Sequence, residues 1–545
     1  MKRFFLPVFA LFLLAIGGQA QTIASVEEVY NIFQNRCVSC HDHASPEAGL
    51  DLEGQGANNN LKAIFVAGKL VNKNPTNATA LGKGDRLVFP GHPHRSFLFR
   101  KINEGFEPTI AALHAGEGDD MPGPAYPGEM TAKEKEIIRQ WILYGAKTAG
   151  VQFNKALVEQ WYDNNGLKSF PDGPPPAPAP GEGFQLKMGP FYLPPDGEVE
   201  YYLKNELRLP ADVEVNRVDI KFSPYSHHFI IYSFTGAAGA NANPQGLRTQ
   251  ANHFDINLTA AVQEQTDLRL PATTAFHWKK DLVLDLNSHY INYSADRPYQ
   301  CEAYINVYTQ PVGTAAQEMF ATLIANPNIP IPNNGNNISH TQNVFTPGAD
   351  SIYIWGLMGH THKYGTGYKV WKRLPNGQKG EPLYDAACPF AEPGCPSPYF
   401  DYRHIPMRYW LPLLPIKWSN GLIHEATYVN DGPAPVQFGP TSNDEMMVLV
   451  AFYTEKPIVL DAQEPDNQLK TPTVQVQPNP ASDRLTFTLT GERDAHALRL
   501  FDATGREVLR RTDLGGRTFS VEVADWPPGI YLFNLDGHTG KVVIQ

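Results

Sequence analysis

The chain has 545 residues and a formal net charge of −11, which is modest for its size. At about 150 residues per domain, this length predicts three or four domains. Hydrophobic residues make up 42% of the chain, which excludes disorder throughout. No block of basic residues stands out, and this argues against nucleic-acid binding.

Residues 1–20 have the pattern of a secretory signal peptide. A basic start at Lys2 and Arg3 precedes an apolar run from Phe4 to Ile16, and small residues end the segment at Ala20. We expect cleavage after Ala20. Because no later apolar run is long enough to span a bilayer, we predict an exported protein without a transmembrane segment.

The motif Cys37-Val38-Ser39-Cys40-His41 has the C-x-x-C-H spacing of a heme c attachment site. In such a site the thiols of Cys37 and Cys40 add to the heme vinyl groups, and His41 ligates the iron. A redox or zinc-binding cysteine pair is the alternative interpretation. The flanking sequence favours heme, because a helix is predicted to lead directly into the motif.

Two capping boxes predict helices around this motif. Ser25 and Glu28 begin a helix that ends in the motif, and Thr131 and Glu134 begin a second amphipathic helix over 135–142. The first helix places four apolar residues on one face: Val26, Val29, Tyr30 and Phe33. We expect the two helices to pack against each other.

Residues 21–150 resemble a small cytochrome c domain of the type with a late Met-Pro motif followed by a Thr-x-x-Glu helix. By position in that pattern, Met121 is the distal ligand of the heme iron. A thioether ligand raises the iron potential, which suits electron transfer. Four other residues compete for this role: Met130, His92, His94 and His114.

A proline-rich spacer covers residues 171–183. Such a segment is semi-rigid and extended, and it is typical of a boundary between domains. Beyond it, short apolar or alternating runs are separated by frequent Pro, Asn and Gly, with almost no helical periodicity. We therefore predict β-sandwich structure, with a junction near residues 310–313.

This region contains six candidate metal ligands: His227, His228, His289, His360, His362 and Met446. His360 and His362 follow an apolar strand-like run, so on a strand their side chains point to the same side and can hold one ion. Met446 begins another such run and offers a soft thioether, which selects Cu(I) over zinc, magnesium or iron. His227 and His228 are adjacent and can bind one ion only at a bend or bulge.

Residues 184–454 resemble the copper type II ascorbate-dependent monooxygenases, the family of dopamine beta-monooxygenase and peptidylglycine alpha-hydroxylating monooxygenase. The resemblance is most specific in five segments: Ser226-His227-His228, Leu268-Arg269-Leu270-Pro271, Ser288-His289-Tyr290, His360-Thr361-His362 and Thr441-Ser442-Asn443-Asp444-Glu445-Met446. It implies an electron-storing copper with three ligands: His227, His228 and His289. It implies a catalytic copper that binds dioxygen, with the other three ligands: His360, His362 and Met446.

The resemblance further implies two separate mononuclear coppers across a cleft between two β-sandwich domains, at 184–310 and 311–460. The family activity is hydroxylation of a C–H bond of a small organic substrate by dioxygen, with electrons from ascorbate or a redox protein. The fused heme then becomes a candidate electron relay. Zinc at either site, or loss of the metals, remains open. Two further alternatives also remain open. One is a secreted heme and copper protein that transfers electrons or binds copper without oxygenase activity, and the other is an oxidase that makes peroxide.

Three positions depart from the peptide-amidating branch of that family. There, an arginine before the His-Thr-His segment and Asn and Tyr after the ligand Met help to hold a peptide carboxylate. The corresponding residues here are Met358, Val448 and Val450. A thioether cannot replace a bidentate guanidinium, so we predict no amidation of glycine-extended peptides and a less polar substrate.

Three cysteines lie outside the heme motif. Cys388 and Cys395 are close enough in sequence to form a local disulfide, which leaves Cys301 unpaired. Cys301 lies beside a strand-like run, so we expect it to be buried. Disulfide formation is consistent with the export that the signal segment predicts.

Residues 471–545 resemble the type A C-terminal sorting domain of the type IX secretion system. Three segments carry the resemblance: 476–481, 498–508 and 528–533. We expect a small β-sandwich with turns at 504–505 and 527–529, interaction with the secretion machinery, and delivery to the surface or exterior of a Bacteroidetes-type cell. An accessory binding sandwich is the alternative interpretation.

Together these modules predict a multidomain, mainly β protein. An all-α cytochrome c domain with one covalently attached heme c precedes two jelly-roll-like β-sandwich domains that hold two copper ions. A small C-terminal β-sandwich completes the chain. The six copper ligands and the four heme-binding residues Cys37, Cys40, His41 and Met121 are the candidate site residues.

Overall fold

The computed structural model describes residues 25–123, 129–150, 153–222, 226–253, 255–262, 266–387, 400–402, 405–439, 443–458, 474–489, 497–502, 507–512, 514, 516, 518–535 and 538–545. At residues 227, 262, 266, 475, 538 and 539 only the backbone is described. The predicted signal segment 1–20, the cysteine pair Cys388 and Cys395, and the predicted turn at 504–505 lie outside the described residues. The chain divides into two compact units, with the boundary after Ile458.

Helices occupy the first part of the first unit, with one further short helix among its strands. Their bounds are α1 Val26–Arg36, α2 Asn59–Leu70, α3 Ala78–Gly82, α4 Phe97–Ile102, α5 Ala132–Leu143, α6 Lys155–Asp163 and α7 Ala237–Ala242. The apolar face predicted for α1 is confirmed, since Val26, Val29, Tyr30 and Phe33 are all buried. Phe33 packs edge-on against Trp141 of α5, with ring centres 6.5 Å apart.

The two predicted capping boxes have different outcomes. Thr131 and Glu134 form the box at the start of α5, each side chain bonding the other's backbone N–H. At the start of α1 the prediction was wrong, because Ser25 makes no side-chain cap bond. The carboxylate of Glu28 instead pairs with Lys155 Nζ of α6, at 2.8 Å.

The rest of the first unit is β-structure. Its strands are β1 Leu167–Lys168, β2 Gly183–Leu193, β3 Glu198–Glu206, β4 Val213–Phe222, β5 Ser226–Phe234, β6 Ile256–Val262, β7 Thr266–Arg269, β8 Thr274–Trp278, β9 Val283–Ile291, β10 Tyr299–Pro311, β11 Gln317–Glu318, β12 Phe320–Ala325, β13 Asn337–Val344, β14 Ser351–His360, β15 Gly365–Arg373, β16 Lys379–Asp385, β17 Arg408–Lys417, β18 Leu422–Val429 and β19 Val448–Thr454. The prediction of a mainly β protein with few helices is confirmed.

One sheet of this unit spans both predicted copper domains. Its order is β17-β14-β19-β12-β6-β5-β9-β3, so strands from before and after residue 310 hydrogen-bond in a single eight-stranded sheet. Among the described residues the two halves join at Ala321 of β12 and Leu258 of β6. A seven-stranded sheet around β10 and β4 and the four-stranded sheet β13-β18-β15-β16 complete the unit. The buried side chains of these sheets form one continuous apolar core.

The helical part is packed directly on the β part. Tyr144, just after α5, contacts both the helical core and the β core. Gln140 Nε2 donates to the carbonyl oxygen of Pro190 in β2, at 2.7 Å. Before the proline-rich spacer begins, the chain also forms the short strand β1, which pairs in parallel with β10. The spacer itself is held on the sheet, because Asn306 Nδ2 donates to the carbonyl oxygen of Pro176 at 2.9 Å.

The second unit is a small β-sandwich. Its strands are β20 Val474–Gln477, β21 Arg484–Leu489, β22 Ala497–Asp502, β23 Glu507–Thr512, β24 Thr518–Glu522, β25 Gly529–Leu535 and β26 His538–Ile544. They form a three-stranded sheet, β20-β21-β24, and a four-stranded sheet, β23-β22-β25-β26, around a shared apolar core. The predicted sandwich is therefore present.

Candidate functional site

A cavity of about 860 Å³ lies within the helical part. Its lining includes the residues predicted to hold heme: Cys37, Cys40, His41 and Met121. His41 is buried, and its Nδ1 lies 3.1 Å from the carbonyl oxygen of Leu50. A bond of this kind fixes the orientation of a ligating imidazole and leaves Nε2 for the metal. The residues present therefore fit a covalently attached heme.

The residues that line the cavity indicate which side chains can be the distal ligand of the heme iron. Met121 and Met130 both line it, whereas His92, His94 and His114 are absent from its described lining. Burial lowers the pKa of His92 to about 3, and its Nε2 lies 3.3 Å from Gln245 Oε1 in the β part. Met121 is partly exposed and Met130 is buried. Sequence reasoning missed the lysines of this lining, which suit the carboxylates of a heme: Lys69, Lys73 and Lys101.

Four of the predicted copper ligands meet inside the β part. The ring centres of His228 and His289 are 5.3 Å apart, and those of His360 and His362 are also 5.3 Å apart. All four residues are buried. An ion about 2 Å from two imidazole nitrogens in tetrahedral geometry places the ring centres roughly 5 Å apart. Each pair therefore has the spacing of two ligands on one ion.

The local backbone structure explains why the two histidines of each pair lie close together. His228 of β5 and His289 of β9 are direct cross-strand partners, and the register shifts between Ser226 and His228. The structure thus has the bulge that two adjacent histidine ligands require at this point. His227 lies in that bulge, and its side chain is outside the described part of the chain. His360 is the last residue of β14, and His362 follows in the loop after it.

Carboxylates surround the first histidine pair. His289 Nε2 lies 2.7 Å from Glu198 Oε1, and His228 Nε2 lies 3.7 Å from Glu200 Oε1. Burial raises the pKa of Glu200, while the neighbouring His289 and the amide of Asn287 act in the opposite direction. Sequence reasoning missed Glu198 and Glu200 because they lie on β3, and the alternating pattern of side chains in β3 does not indicate which strand it pairs with. Such partners orient imidazole ligands and raise their basicity.

Glu445 connects the second histidine pair to Met446. Its carboxylate accepts the backbone N–H of His362 at 2.8 Å, that of Tyr364 at 2.7 Å and that of Met446 at 3.0 Å. The side chain is fully buried, and this burial raises its pKa to about 7 against the effect of the N–H donors. One carboxylate thereby fixes the loop after β14 to the segment before β19. The carbonyl oxygen of Asp444 lies 3.2 Å from His362 Nδ1.

An apolar strip lies beside His360. Met358 and His360 are on the same face of β14, and their cross-strand partners in β19 are Val450 and Val448. All three apolar residues are buried. The positions that depart from the peptide-amidating pattern thus form a continuous apolar surface next to a candidate copper ligand.

The structure brings four of the predicted copper ligands together, but it does not show a complete set of ligands around one ion. No three His, Cys, Asp or Glu side chains among the described residues are arranged to hold one ion. Met446 is half-buried, and its backbone is fixed by Glu445 and by Tyr428, whose hydroxyl donates to the Met446 carbonyl at 2.8 Å. Cys301 is buried, as predicted, and it forms no disulfide within the part of the chain that the structure describes.

Comparison with known proteins assigns the C-terminal segment. Residues 475–545 match the family described as the secretion system C-terminal sorting domain. The chain therefore carries a sorting signal that interacts with the type IX machinery and directs export to the surface or exterior of a Bacteroidetes-type cell. No helix in the described ranges is long and apolar enough to cross a membrane.

Comparisons with whole proteins add little. No curated protein matches the chain. Similar solved structures include the STIV MCP, with 11% identity over 50% of this chain and 97% of that chain at a TM-score of 0.22. They also include the major capsid protein P2 of bacteriophage PM2, at 8% identity over 48% and 99% of the two chains and a TM-score of 0.19. A Ruminococcus gnavus β-glucuronidase matches at 11% identity over 39% and 36%, with a TM-score of 0.12. Likeness at these TM-scores does not bear on function.

Proposed function

We propose that this protein is a secreted copper-dependent monooxygenase that hydroxylates a C–H bond of a small, weakly polar organic substrate. The observation that carries the proposal is the meeting of His228, His289, His360 and His362 from strands far apart in sequence. Met446 is fixed beside the last of these through Glu445. Imidazoles combined with a thioether favour copper over zinc or magnesium.

The chain's residues have distinct roles in this proposal. His360, His362 and Met446 would hold the catalytic copper, and His227, His228 and His289 would hold the electron-storing copper. Copper at these positions supplies one-electron redox chemistry. In the overall reaction, RH, dioxygen, two electrons and two protons give ROH and water. Glu198 fixes the His289 ring, and Glu445 fixes the loops that carry His362 and Met446.

The apolar strip supports a weakly polar substrate. Met358, Val448 and Val450 lie next to His360 and offer no charge or hydrogen bond to a carboxylate. Apolar surface beside a redox centre stabilises a hydrocarbon part of a substrate by burying it. Measurable amidation of a glycine-extended peptide by the purified protein would refute this part of the proposal.

The helical part supplies single electrons in this proposal. Cys37 and Cys40 would hold a covalently attached heme and His41 would ligate its iron, and this group would supply one-electron transfer from ascorbate or a redox protein. The cavity of about 860 Å³ and the His41 bond to the Leu50 carbonyl support this assignment. Direct packing of the helices on β2 and β3 holds the cavity at a fixed position relative to the histidines.

Metal content tests the proposal first. We expect about two copper ions and one iron per chain in copper-exposed protein, measured by mass spectrometry of the dissolved metals. A screen of small apolar substrates under labelled dioxygen should then give product with one labelled oxygen atom. His362→Ala should abolish incorporation, whereas His340→Asn, on β13 outside the cluster, should leave it unchanged. Zinc in place of copper, or redox cycling without incorporation, would instead indicate an electron-transfer or copper-binding protein.

A further inference from the structure

The outer face of the four-stranded sheet in the second unit carries an apolar patch. Ile530 and Leu532 of β25 are 48% and 49% exposed, whereas Tyr531 between them is buried in the core. Because side chains alternate along a strand, the two exposed residues point away from the core on the same face. In the sheet, Leu532 lies opposite Phe501 of β22, and Ile530 lies opposite Val543 of β26. These four outward-facing side chains form the outer patch, which crosses three neighbouring strands.

The outer face of the three-stranded sheet is polar by comparison. Thr486 of β21 precedes the buried Phe487 and therefore points outward, where its hydroxyl lies 3.0 Å from that of Ser520 in β24. On the same face, Arg484 pairs with Glu522 at 2.6 Å. A sandwich needs only the inner face of each sheet to be apolar. The outer patch is therefore not explained by the folding of the second unit.

Basic side chains border the outer patch. Arg499 lies on the same face of β22 as Phe501, and its guanidinium is 4.9 Å from the centre of that ring. Lys541 is exposed on the same face of β26. The carboxylate of Glu507 pairs with Arg499 at 2.6 Å and with Arg510 at 2.8 Å, so two guanidinium groups share one acid. Among the described residues of this face, three basic side chains thus accompany one acidic side chain.

We propose that the outer patch is the surface through which the type IX secretion machinery recognises this chain. Residues 475–545 match the sorting domain family, so the second unit is the part that this machinery reads. An exposed apolar area with a polar edge is typical of a protein–protein contact surface. The partner surface is apolar at its centre and acidic at its edge, since these features complement the patch and its basic border. Copper and heme have no part in this recognition, so it goes beyond the proposed function and is independent of it.

Delivery of the full-length protein to the surface of a cell with a type IX system tests the proposal. The double variant Ile530→Thr with Leu532→Thr makes the patch polar but keeps residues that favour strands. We expect its surface and secreted fractions to fall by about tenfold or more, with accumulation in the periplasm, because side chains at the centre of an interface dominate binding. The matched control, Thr486→Ala with Thr488→Ala on the other outer face, should be delivered normally. Lys541→Glu should reduce delivery by a smaller factor, because its new charge repels an acidic edge.

Thermal unfolding of the purified variants separates recognition from folding. Since both substituted side chains are exposed, the double variant should unfold within a few degrees of the unsubstituted protein. Normal delivery of a stable double variant would overturn the proposal. If the double variant does not fold, Lys541→Glu decides, and its normal delivery would then overturn the proposal. Light scattering provides the remaining outcome: a dimer of the full-length chain that the double substitution separates, with delivery retained, would assign the patch to a second copy instead.

Discussion

The hydroxyl oxygens of Tyr144 and Tyr201 lie 3.1 Å apart, at the boundary between the helical and β parts. Tyr144 follows α5 and Tyr201 belongs to β3, so this bond joins the two parts through partly buried side chains. Burial raises the pKa of both phenols, which keeps them neutral and able to share the bond. The two parts therefore have a defined relative position, which the proposed exchange of electrons between them requires.

A double-mutant cycle tests this contact. Tyr144→Phe or Tyr201→Phe should each lower the free energy of unfolding by about 1 kcal/mol, because each leaves one partly buried hydroxyl without this partner. The double variant should lose little more than either single variant, since both partners are then removed together. Urea unfolding measures all four proteins. Fully additive losses would mean that the two hydroxyls do not interact in solution.

Glu445→Gln should weaken Cu(I) binding by roughly 10 to 100-fold, the usual effect of losing a residue that supports a metal ligand. An amide offers one acceptor where the carboxylate offers two, so the N–H groups of His362, Tyr364 and Met446 cannot all be satisfied. Competition with a colorimetric Cu(I) chelator measures the affinity. Glu425→Gln, on β18, is the control. Unchanged affinity in Glu445→Gln would exclude the supporting role.

The lowered pKa of Glu117 predicts that the helical part becomes less stable in acid. Although burial alone would raise its pKa, hydrogen bonds from Arg100 and Lys83 lower it to about 2, from an ordinary value of 4.5. A carboxyl with a lowered pKa in the folded state contributes stability above pH 4.5, and this contribution is lost as the pH falls toward 2. Stability should therefore decrease through that window.

Glu117→Gln should cost about 3 kcal/mol at neutral pH, because it removes the ion pairs of a buried carboxylate with Arg100 and Lys83 and leaves the buried Arg100 with Asp85 alone. The difference from the unsubstituted protein should shrink between pH 4.5 and 2. Unfolding followed by circular dichroism at several pH values measures both effects. Asp163→Asn removes an exposed pair with Lys133 and should change stability by under about 1 kcal/mol. Equal losses of stability in Glu117→Gln and Asp163→Asn would contradict the stabilising role of the buried Glu117 carboxylate.

Met121 and Met130 can be distinguished as candidate ligands of the proposed heme. Met121→Leu should lower the reduction potential and remove the sulfur-to-iron charge-transfer band, because leucine fills similar volume without a sulfur donor. Met130→Leu should leave both unchanged. Redox titration followed by absorption measures the two properties. The reverse result would assign the distal position to Met130, and no change in either variant would exclude thioether ligation.

Removal of the second unit should change the destination of the protein. A chain ending at Ile458 retains all the proposed metal ligands but lacks the sorting domain. We expect it to accumulate in the periplasm, with the surface and secreted fractions lost. A passenger protein fused to residues 459–545 should reach the surface. Immunoblots of cell fractions measure both, and normal surface delivery of the shortened chain would contradict the sorting role.

The sequence by itself determined the local elements and the chemical types of the candidate site. Spacing alone identified the C-x-x-C-H motif, the strand before His360 and the Thr131 capping box, because each depends on residues a few positions apart. The C-terminal sorting sandwich was also recognisable from short turn and strand patterns, and it is confirmed. The failed box at Ser25 shows the limit of such reasoning. There, the tertiary ion pair between Lys155 and Glu28 engages the carboxylate that the box requires.

Only the tertiary structure decided which of these elements meet. Sheet order is set by packing between strands far apart in sequence, so no local pattern predicts that one sheet joins β5 to β14 through three intervening strands. The same packing brings His228 within 5.6 Å of His360, measured between ring centres. It also buries Glu445 beneath the His362 loop. Long-range apolar burial thus determined the geometry of a site whose donor atoms the sequence had already supplied.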